Sequence, residues 1–131
     1  MSDVLRDEER RDFSRIPFHR RAMLRVGGSA VMCDCWDVSL RGALLRTGAR
    51  VRAQAGQACT VTIHLDAGGS VLQMNGTVAH SADGAIGVEF RTTDLESFAY
   101  LRRLVELNLG SAKLLRSELA ALVARAPARV P

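Results

Sequence analysis

A chain of 131 residues has the length of one ordinary domain, and its apolar fraction of 47% is enough for a hydrophobic core. No apolar run approaches the ~20 residues of a membrane span, and the charged N-terminus lacks the apolar stretch of a signal peptide, so we expect a cytoplasmic protein without membrane insertion. The net charge is +4, but aromatic residues make up only 5% and no basic stripe runs along a predicted helix, which argues against a nucleic-acid partner.

Three parts follow one another along the chain. Residues 1–16 interleave basic and acidic side chains and are predicted to form a flexible N-terminal arm. Residues 17–91 have the pattern of six short strands separated by glycine-rich turns, with strand segments at 18–26, 30–39, 42–47, 57–65, 71–81 and 85–90. Because no helix intervenes, the pattern predicts a mainly β fold, either an antiparallel barrel or a sandwich.

Residues 93–126 have the apolar spacing of helices. Thr93 is predicted to cap the first helix, with Glu96 at its third position, and Gly110 is predicted to end it. Ser111 is the predicted cap of a second helix, whose apolar stripe consists of Leu115, Leu119, Leu122 and Val123. That stripe is either a partner surface or a flank of the core.

The sequence carries no group of residues typical of catalysis. The histidines are scattered through predicted strands, no glycine-rich phosphate loop is present, and we therefore expect no enzyme activity. The three cysteines are an odd number and form no disulfide framework. Cys33 and Cys35 could suggest a metal site, but no second Cys or His pair completes one, and alternation within a strand is the better interpretation.

Two short stretches have the chemistry of a binding site. Arg10, Arg11 and Arg15 lie in the arm, and guanidinium groups bind phosphate through two hydrogen bonds or stack on a nucleobase. The alternative for this stretch is a solvated charged tail. The second stretch, Asp37-Val38-Ser39-Leu40-Arg41-Gly42, offers a carboxylate, a hydroxyl and a glycine at a turn between strands. Its alternative is a turn that only links the second and third strands.

The order and spacing of these two stretches resemble the PilZ domain family. Arg11 and Arg15 match its Arg-x-x-x-Arg motif, and Asp37, Ser39 and Gly42 match its Asp-x-Ser-x-x-Gly motif. The resemblance covers roughly residues 9–110, and the segment "LRRLVELNLG" is similar to that of stand-alone PilZ proteins. It implies a six-stranded antiparallel PilZ-type β-barrel with C-terminal α-helices. Many PilZ domains are receptors for the bacterial second messenger cyclic di-GMP, which acts in processes such as biofilm formation and motility.

The resemblance also implies a role for each motif residue. Arg11 and Arg15 would grip the phosphates of cyclic di-GMP and stack on guanine. Asp37 and Ser39 would hydrogen-bond guanine, and Gly42 would shape the turn. The nucleotide would be a ligand, and no cofactor is implied.

Three further positions matter for this implied site. Arg10 precedes the motif at the place where, in the family, an extra arginine goes with binding a stacked nucleotide dimer. His80 stands where relatives carry a tryptophan over the ligand, and it either stacks there or is a strand-end histidine without a role. Asp12 lies inside the arginine motif, where its charge opposes phosphate unless it points away or pairs with an arginine.

Two functions follow from the resemblance. The first is a cyclic di-GMP receptor and adaptor that changes the surface it shows to an unidentified downstream protein. The alternative is a PilZ-like adaptor that binds no nucleotide, for example in type IV pilus assembly. Such members typically lack the arginine motif, which is intact here.

Overall fold

Alternating apolar residues build a closed antiparallel barrel in the computed structural model, which describes residues 13–48, 51–82 and 84–125. The strands are β1 (Ile16–Val26), β2 (Ser29–Val38), β3 (Gly42–Arg46), β4 (Ala58–His64), β5 (Val71–Ala82) and β6 (Ala85–Thr93). They pair around the barrel in the order β1-β2-β3-β6-β5-β4. The six-stranded antiparallel barrel with C-terminal helices is thus confirmed.

The barrel interior is filled by the apolar half of each strand. In β4, Cys59, Val61 and Ile63 are buried, while the threonines between them face outward and are only partly covered. Leu24 and Leu45 from β1 and β3 are fully buried beside them. Burying one such side chain contributes about 1.5–3 kcal/mol, so this alternation supplies much of the stability.

Several register shifts interrupt the regular alternation of the barrel, and two of them re-aim side chains near the β2–β3 turn and at the end of β5. In β2, Cys35 pairs with Leu45 and Asp37 with Leu44, so one extra residue, Trp36, is inserted opposite β3. Without it, the alternation would turn Asp37 into the core; with it, Val38 is buried instead. In β5, Val78 pairs with Val88 and His80 with Gly87, so Ala79 is an extra residue opposite β6.

The first helix, α1 (Leu95–Leu109), begins one residue later than the sequence predicts. Asp94 is its cap, and its Oδ1 accepts a hydrogen bond from the backbone N–H of Ser97 at 2.7 Å. Thr93 is still part of β6, where it pairs with Met74 and its hydroxyl donates to the Gln73 carbonyl. The predicted Thr93–Glu96 capping box is therefore wrong, because sheet pairing holds Thr93 in the strand. Gly110 ends the helix in the left-handed region, as predicted.

The second helix, α2 (Ala112–Arg125), lies beside α1 and flanks the core. Ser111 Oγ accepts from the Leu114 N–H at 3.2 Å, which confirms its predicted capping role. Leu115 is buried, and Leu119 and Leu122 pack against the core, whereas Val123 is exposed. Three residues of the predicted stripe therefore belong to the core flank. No helix within the described ranges is both long and apolar enough to cross a membrane.

The segment before β1 is more closely packed than the sequence predicts. Phe13 is 3% exposed and Ile16 is 2% exposed, and both belong to the core cluster. Ser14 donates from its N–H and its hydroxyl to Glu118 Oε2 of α2, at 3.0 and 2.5 Å. Residues 13–16, assigned to the arm on their charged surroundings, thus pack through two apolar side chains. The rest of the predicted arm, residues 1–12, lies outside the described residues.

Candidate functional site

One cavity of about 380 Å³ is lined by every predicted site residue that the structure describes. These residues are Arg15, Asp37, Ser39, Gly42 and His80. They come from the segment before β1, from the β2–β3 turn and from the end of β5. The barrel topology therefore brings together residues that are up to 65 positions apart in the chain (80 minus 15).

A direct ion pair joins the two sequence motifs. Arg15 Nη1 donates to Asp37 Oδ1 at 2.7 Å, with the side chains 41% and 22% exposed. A pair this accessible contributes at most about 1 kcal/mol to stability, because water competes for both groups. Among the described residues this is the one hydrogen bond from the Arg15 guanidinium, which has five N–H donors. Both side chains can therefore accept a ligand without leaving the cavity.

Ser39 shapes the turn that follows Asp37. Its Oγ accepts from the backbone N–H groups of Arg41 and Gly42, both at 3.1 Å, and its own N–H donates to the Gly42 carbonyl at 2.8 Å. The side chain is nearly buried. The stretch therefore forms a turn that links β2 and β3. The hydroxyl hydrogen of Ser39 is its remaining donor for a ligand.

Gly42 allows the turn to lie against β6. A β-carbon there would overlap the Val88 carbonyl oxygen, with which the backbone is in close approach. The Phe90 N–H donates to the Arg41 carbonyl at 2.7 Å, which fixes the turn to the same strand. Gly42 therefore shapes the turn by permitting this close approach of the two backbones.

His80 reaches the cavity because of the bulge in β5. The bulge sets His80 opposite Gly87 of β6, and a β-carbon at Gly87 would overlap the imidazole ring. The ring therefore lies across the glycine. Neither the bulge nor the need for Gly87 could be predicted from alternation in the sequence.

Phe13, Arg41 and Glu89 are among the cavity residues that the sequence did not predict. Arg41 Nε donates to Glu89 Oε2 at 2.7 Å, and its Nη2 contacts the same oxygen. The Arg41 Cζ lies 5.8 Å from the centroid of the Phe13 ring. Arg41 is inside the Asp-x-Ser-x-x-Gly motif and so could have been suspected. Glu89 could not, because its position beside Arg41 depends on the β3–β6 register.

The arginines and carboxylates that line the described cavity are equal in number. Arg15 pairs with Asp37, and Arg41 pairs with Glu89, which also lies 3.3 Å from Arg91 outside the lining. Arg10 and Arg11, the other two arginines predicted for this site, lie outside the described residues. A phosphate-rich ligand would therefore need them, or would need to compete with the two carboxylates.

The thiols do not belong to this chemistry. Burial is the main reason that the pKa of Cys33 rises to about 11 and that of Cys35 to about 12. Cys59 is also buried, and burial raises its pKa as well. Within the described part of the chain, no cluster of three His, Cys, Asp or Glu residues could hold a metal ion.

Comparison with known proteins finds one family. The family model of the PilZ domain matches residues 9–107. Among solved structures, the chain is similar to the PilZ domain of CeSA from a cellulose-synthesising bacterium, with 19% identity, a TM-score of 0.57 and coverage of 74% of this chain and 98% of that one. It is also similar to the PilZ domain of Escherichia coli YcgR with c-di-GMP, with 13% identity, a TM-score of 0.58 and coverage of 86% and 96%.

A third similar structure is that of Borreliella burgdorferi PlzA in complex with c-di-GMP. Its identity is 17% and its TM-score 0.58, with coverage of 79% of this chain and 44% of PlzA. At these identities the solved structures establish a common fold. Because the family model spans most of the sequence, the chain belongs to the PilZ domain family.

Proposed function

We propose that this chain is a receptor and adaptor for cyclic di-GMP, and that the cavity around Arg15 and Asp37 binds the nucleotide. The observation that carries the proposal is the 2.7 Å contact between these two residues, which joins both family motifs in one cavity. Two solved structures of similar fold, those of YcgR and PlzA, are described with c-di-GMP.

The chemistry of the cavity suits a guanine nucleotide. The Arg15 guanidinium can bind a phosphate through two parallel hydrogen bonds or stack on a base. The Asp37 carboxylate accepts hydrogen bonds and can serve the amino and imino groups of guanine. His80 supplies a ring against which a base can stack, although less strongly than a tryptophan would.

The volume of the cavity indicates that it holds part of the ligand. At about 380 Å³ it is at the lower end of the range of roughly 300–1,000 Å³ for small-molecule sites. We propose that Arg10 and Arg11 complete the site from the arm. Their charge would neutralise phosphates that the balanced cavity does not, and Arg10 would favour two stacked nucleotides per chain.

The proposed role is signalling in the cytoplasm without chemical turnover. Nucleotide binding would change the charge and the order of the surface near the arm, and a downstream protein would respond to that change. The two carboxylates of the cavity are paired with arginines, an arrangement that suits hydrogen bonding to a ligand.

Calorimetric titration with cyclic di-GMP tests this function, with cyclic di-AMP and GTP as control ligands. We expect saturable heat with cyclic di-GMP and much weaker binding of the controls. Asp37 can pair with the N1–H and 2-amino groups of guanine, neither of which adenine has, and GTP offers a single guanine without the cyclic pair of phosphates that the arginines would bind. Absence of heat with cyclic di-GMP would reject the receptor function and leave the adaptor that binds no nucleotide.

A further inference from the structure

An exposed aromatic and cationic cluster lies on the outer face of β1, β2 and β3, outside the cavity. Trp36 is 44% exposed, and the Arg46 Cζ lies 4.6 Å from the centroid of its ring. The His19 ring is tilted by 45° against it, with 5.6 Å between centroids. We call this surface the Trp36 patch, and its residues are His19, Arg21, Arg25, Met32, Asp34, Trp36 and Arg46.

The large apolar side chains of the patch, Trp36 and Met32, are not part of the hydrophobic core. Met32 is also 44% exposed and is four residues from Trp36 on the same face of β2. The two are therefore on the order of 13 Å apart along the strand. Trp36 is the extra residue of the β2 bulge, so it has no direct partner in β3. Exposed tryptophan and arginine are the residues that most often dominate binding energy in protein interfaces.

The charge of the patch is mainly positive. Among the residues that the structure describes, Arg21, Arg25 and Arg46 surround one carboxylate, that of Asp34, which lies between Arg21 and Arg46 in the strand register. The Arg21–Asp34 pair is loose, with 3.8 Å between Nε and Oδ1 and side chains that are 67% and 57% exposed. Such a pair is easily exchanged, so the arginines are available to carboxylates of another molecule.

We infer that the Trp36 patch is a docking surface for an acidic segment of a partner protein. Apolar side chains of the partner would cover Trp36 and Met32, and its carboxylates would pair with the surrounding arginines. This arrangement, an aromatic centre with a charged rim, is that of ordinary protein interfaces.

Two other occupants fit the patch less well. A nucleic acid would bring its phosphates close to Asp34, in the middle of the patch, and would leave Met32 without an apolar contact. A second copy of the chain, joined by a two-fold axis, would place this cationic face against itself. Charge complementarity therefore favours an acidic protein segment.

The patch is adjacent to the proposed nucleotide site. Trp36 and Asp37 are consecutive residues of the same bulge, one directed to the outer face and the other to the cavity, where it contacts Arg15. This inference therefore deepens the adaptor part of the proposed function and rests on it for any link to nucleotide. The docking itself is tested without nucleotide, so that failure of either proposal can be distinguished.

Trp36 is the single tryptophan of the chain, so its fluorescence reports on the patch directly. We would titrate the full chain, without nucleotide, with two degenerate peptide pools that lack aromatic residues. One pool has glutamates around a central leucine or methionine, and the other has lysines in their place. We expect the acidic pool to shift the emission of Trp36 and to protect it from acrylamide, in a saturable and salt-sensitive manner.

Variants connect this signal to the patch. Arg46→Glu should weaken binding of the acidic pool by about tenfold or more, because it reverses a charge beside the tryptophan. Arg102→Glu, which makes the same change at an exposed position of α1, should leave binding unchanged. Thermal unfolding of both variants verifies that they remain folded.

Three outcomes would overturn the inference. The first is no change of Trp36 fluorescence with either pool at up to about 1 mM peptide. The second is an equal response to the acidic and basic pools, or equal binding by both variants. The third is a stronger response to a single-stranded oligonucleotide than to the acidic pool, which would assign the patch to nucleic acid.

Discussion

Arg15 and Asp37 are 22 positions apart in the sequence, and the fold sets their side chains 2.7 Å apart in one cavity. The motif spacing predicted both as site residues. It could not predict that they contact each other, because the contact depends on how the segment before β1 meets the β2 bulge. The same holds for Arg41, which is inside a predicted motif but acquires its partner Glu89 only through strand pairing.

Removal of the Arg15 side chain should weaken nucleotide binding without unfolding the protein. A hydrogen bond to a charged group contributes about 1.5–3 kcal/mol, so Arg15→Ala should lose on the order of tenfold or more in affinity for cyclic di-GMP. Arg25→Ala, an exposed arginine of β1 outside the cavity, is the matched control. Calorimetry compares the three proteins, and equal affinity of Arg15→Ala and the parent would remove Arg15 from the site.

The buried cysteines should be unreactive in the folded protein. With pKa values raised to about 11 for Cys33 and about 12 for Cys35, their thiolate fraction near pH 7 is very small. Their reaction with an aromatic disulfide reagent should keep accelerating up to pH 10, whereas an exposed thiol levels off near pH 9. Rapid labelling at pH 7 without denaturant would contradict this.

The same shifts have a consequence for stability. The unfolded chain releases these thiol protons near pH 9, whereas the folded chain holds them to higher pH. The unfolded state is therefore favoured as the pH rises from about 9 toward 11, and the free energy of unfolding should fall over that range. Urea titrations at pH 7, 9 and 10 measure the change. An equal free energy of unfolding at all three pH values would contradict the raised pKa values of the two thiols.

At the scale of elements, the strands follow from alternation, but their irregularities do not. The six strands lie within a few residues of their predicted positions because inward residues such as Val61 and Ile63 repeat at a period of two. A bulge breaks that period only once, so the sequence gives no sign that Trp36 is an extra residue. The predicted start of α1 is wrong for a related reason. Thr93 is a good cap by residue type, but its pairing with Met74 keeps it in β6.

The contact of α2 with the segment before β1 should stabilise the fold. Glu118 is 8% exposed, and its Oε2 accepts two hydrogen bonds from Ser14. Glu118→Ala leaves these donors without their acceptor and should lower the free energy of unfolding by about 1–3 kcal/mol. Urea denaturation measures the loss.

Glu118→Gln is the matched variant for that experiment, because its amide oxygen can still accept from Ser14 while the charge is removed. We expect it to retain more stability than Glu118→Ala. If both variants unfold at the same urea concentration as the parent, the Ser14–Glu118 contact does not hold α2 to the N-terminal segment.

At the scale of the whole molecule, the proposed receptor combines a cavity formed by the barrel with arginines supplied by the arm. The sequence predicted the division into arm, barrel and helices, but it assigned Phe13 to the arm. A single phenylalanine among charged neighbours gives no periodic signal, and its burial depends on tertiary packing. Phe13 and Arg15 both line the cavity, so the C-terminal end of the predicted arm is part of the described site.

The number of nucleotides bound should depend on Arg10. With Arg10, Arg11 and Arg15 together, the site can neutralise more than one pair of phosphates, and we expect two nucleotides per chain. Arg10→Leu removes one of these charges and should shift the stoichiometry toward one. Calorimetric titration counts the sites, and saturation of the parent at one nucleotide per chain would eliminate the stacked dimer.

Nucleotide should also protect the backbone of the arm. Ordering a residue costs roughly 1–2 kcal/mol, a cost that several arginine contacts to one ligand can offset. We expect amide hydrogen exchange in residues 5–12 to slow on addition of cyclic di-GMP, while the paired barrel strands change little. Exchange of the arm that is equal with and without nucleotide would mean that the signal arises elsewhere.

The most direct test of the nucleotide site is to map cyclic di-GMP onto the molecule by the amide chemical shifts of the isotope-labelled protein. We expect the largest shifts at the residues that line the cavity, which include Arg15, Asp37, Ser39, Arg41, Gly42, His80 and Gly87. We expect small shifts on the exposed face of α1. Shifts that are absent, or that concentrate on α1 and α2 rather than around Arg15 and Asp37, would contradict the claim that this cavity is a nucleotide site.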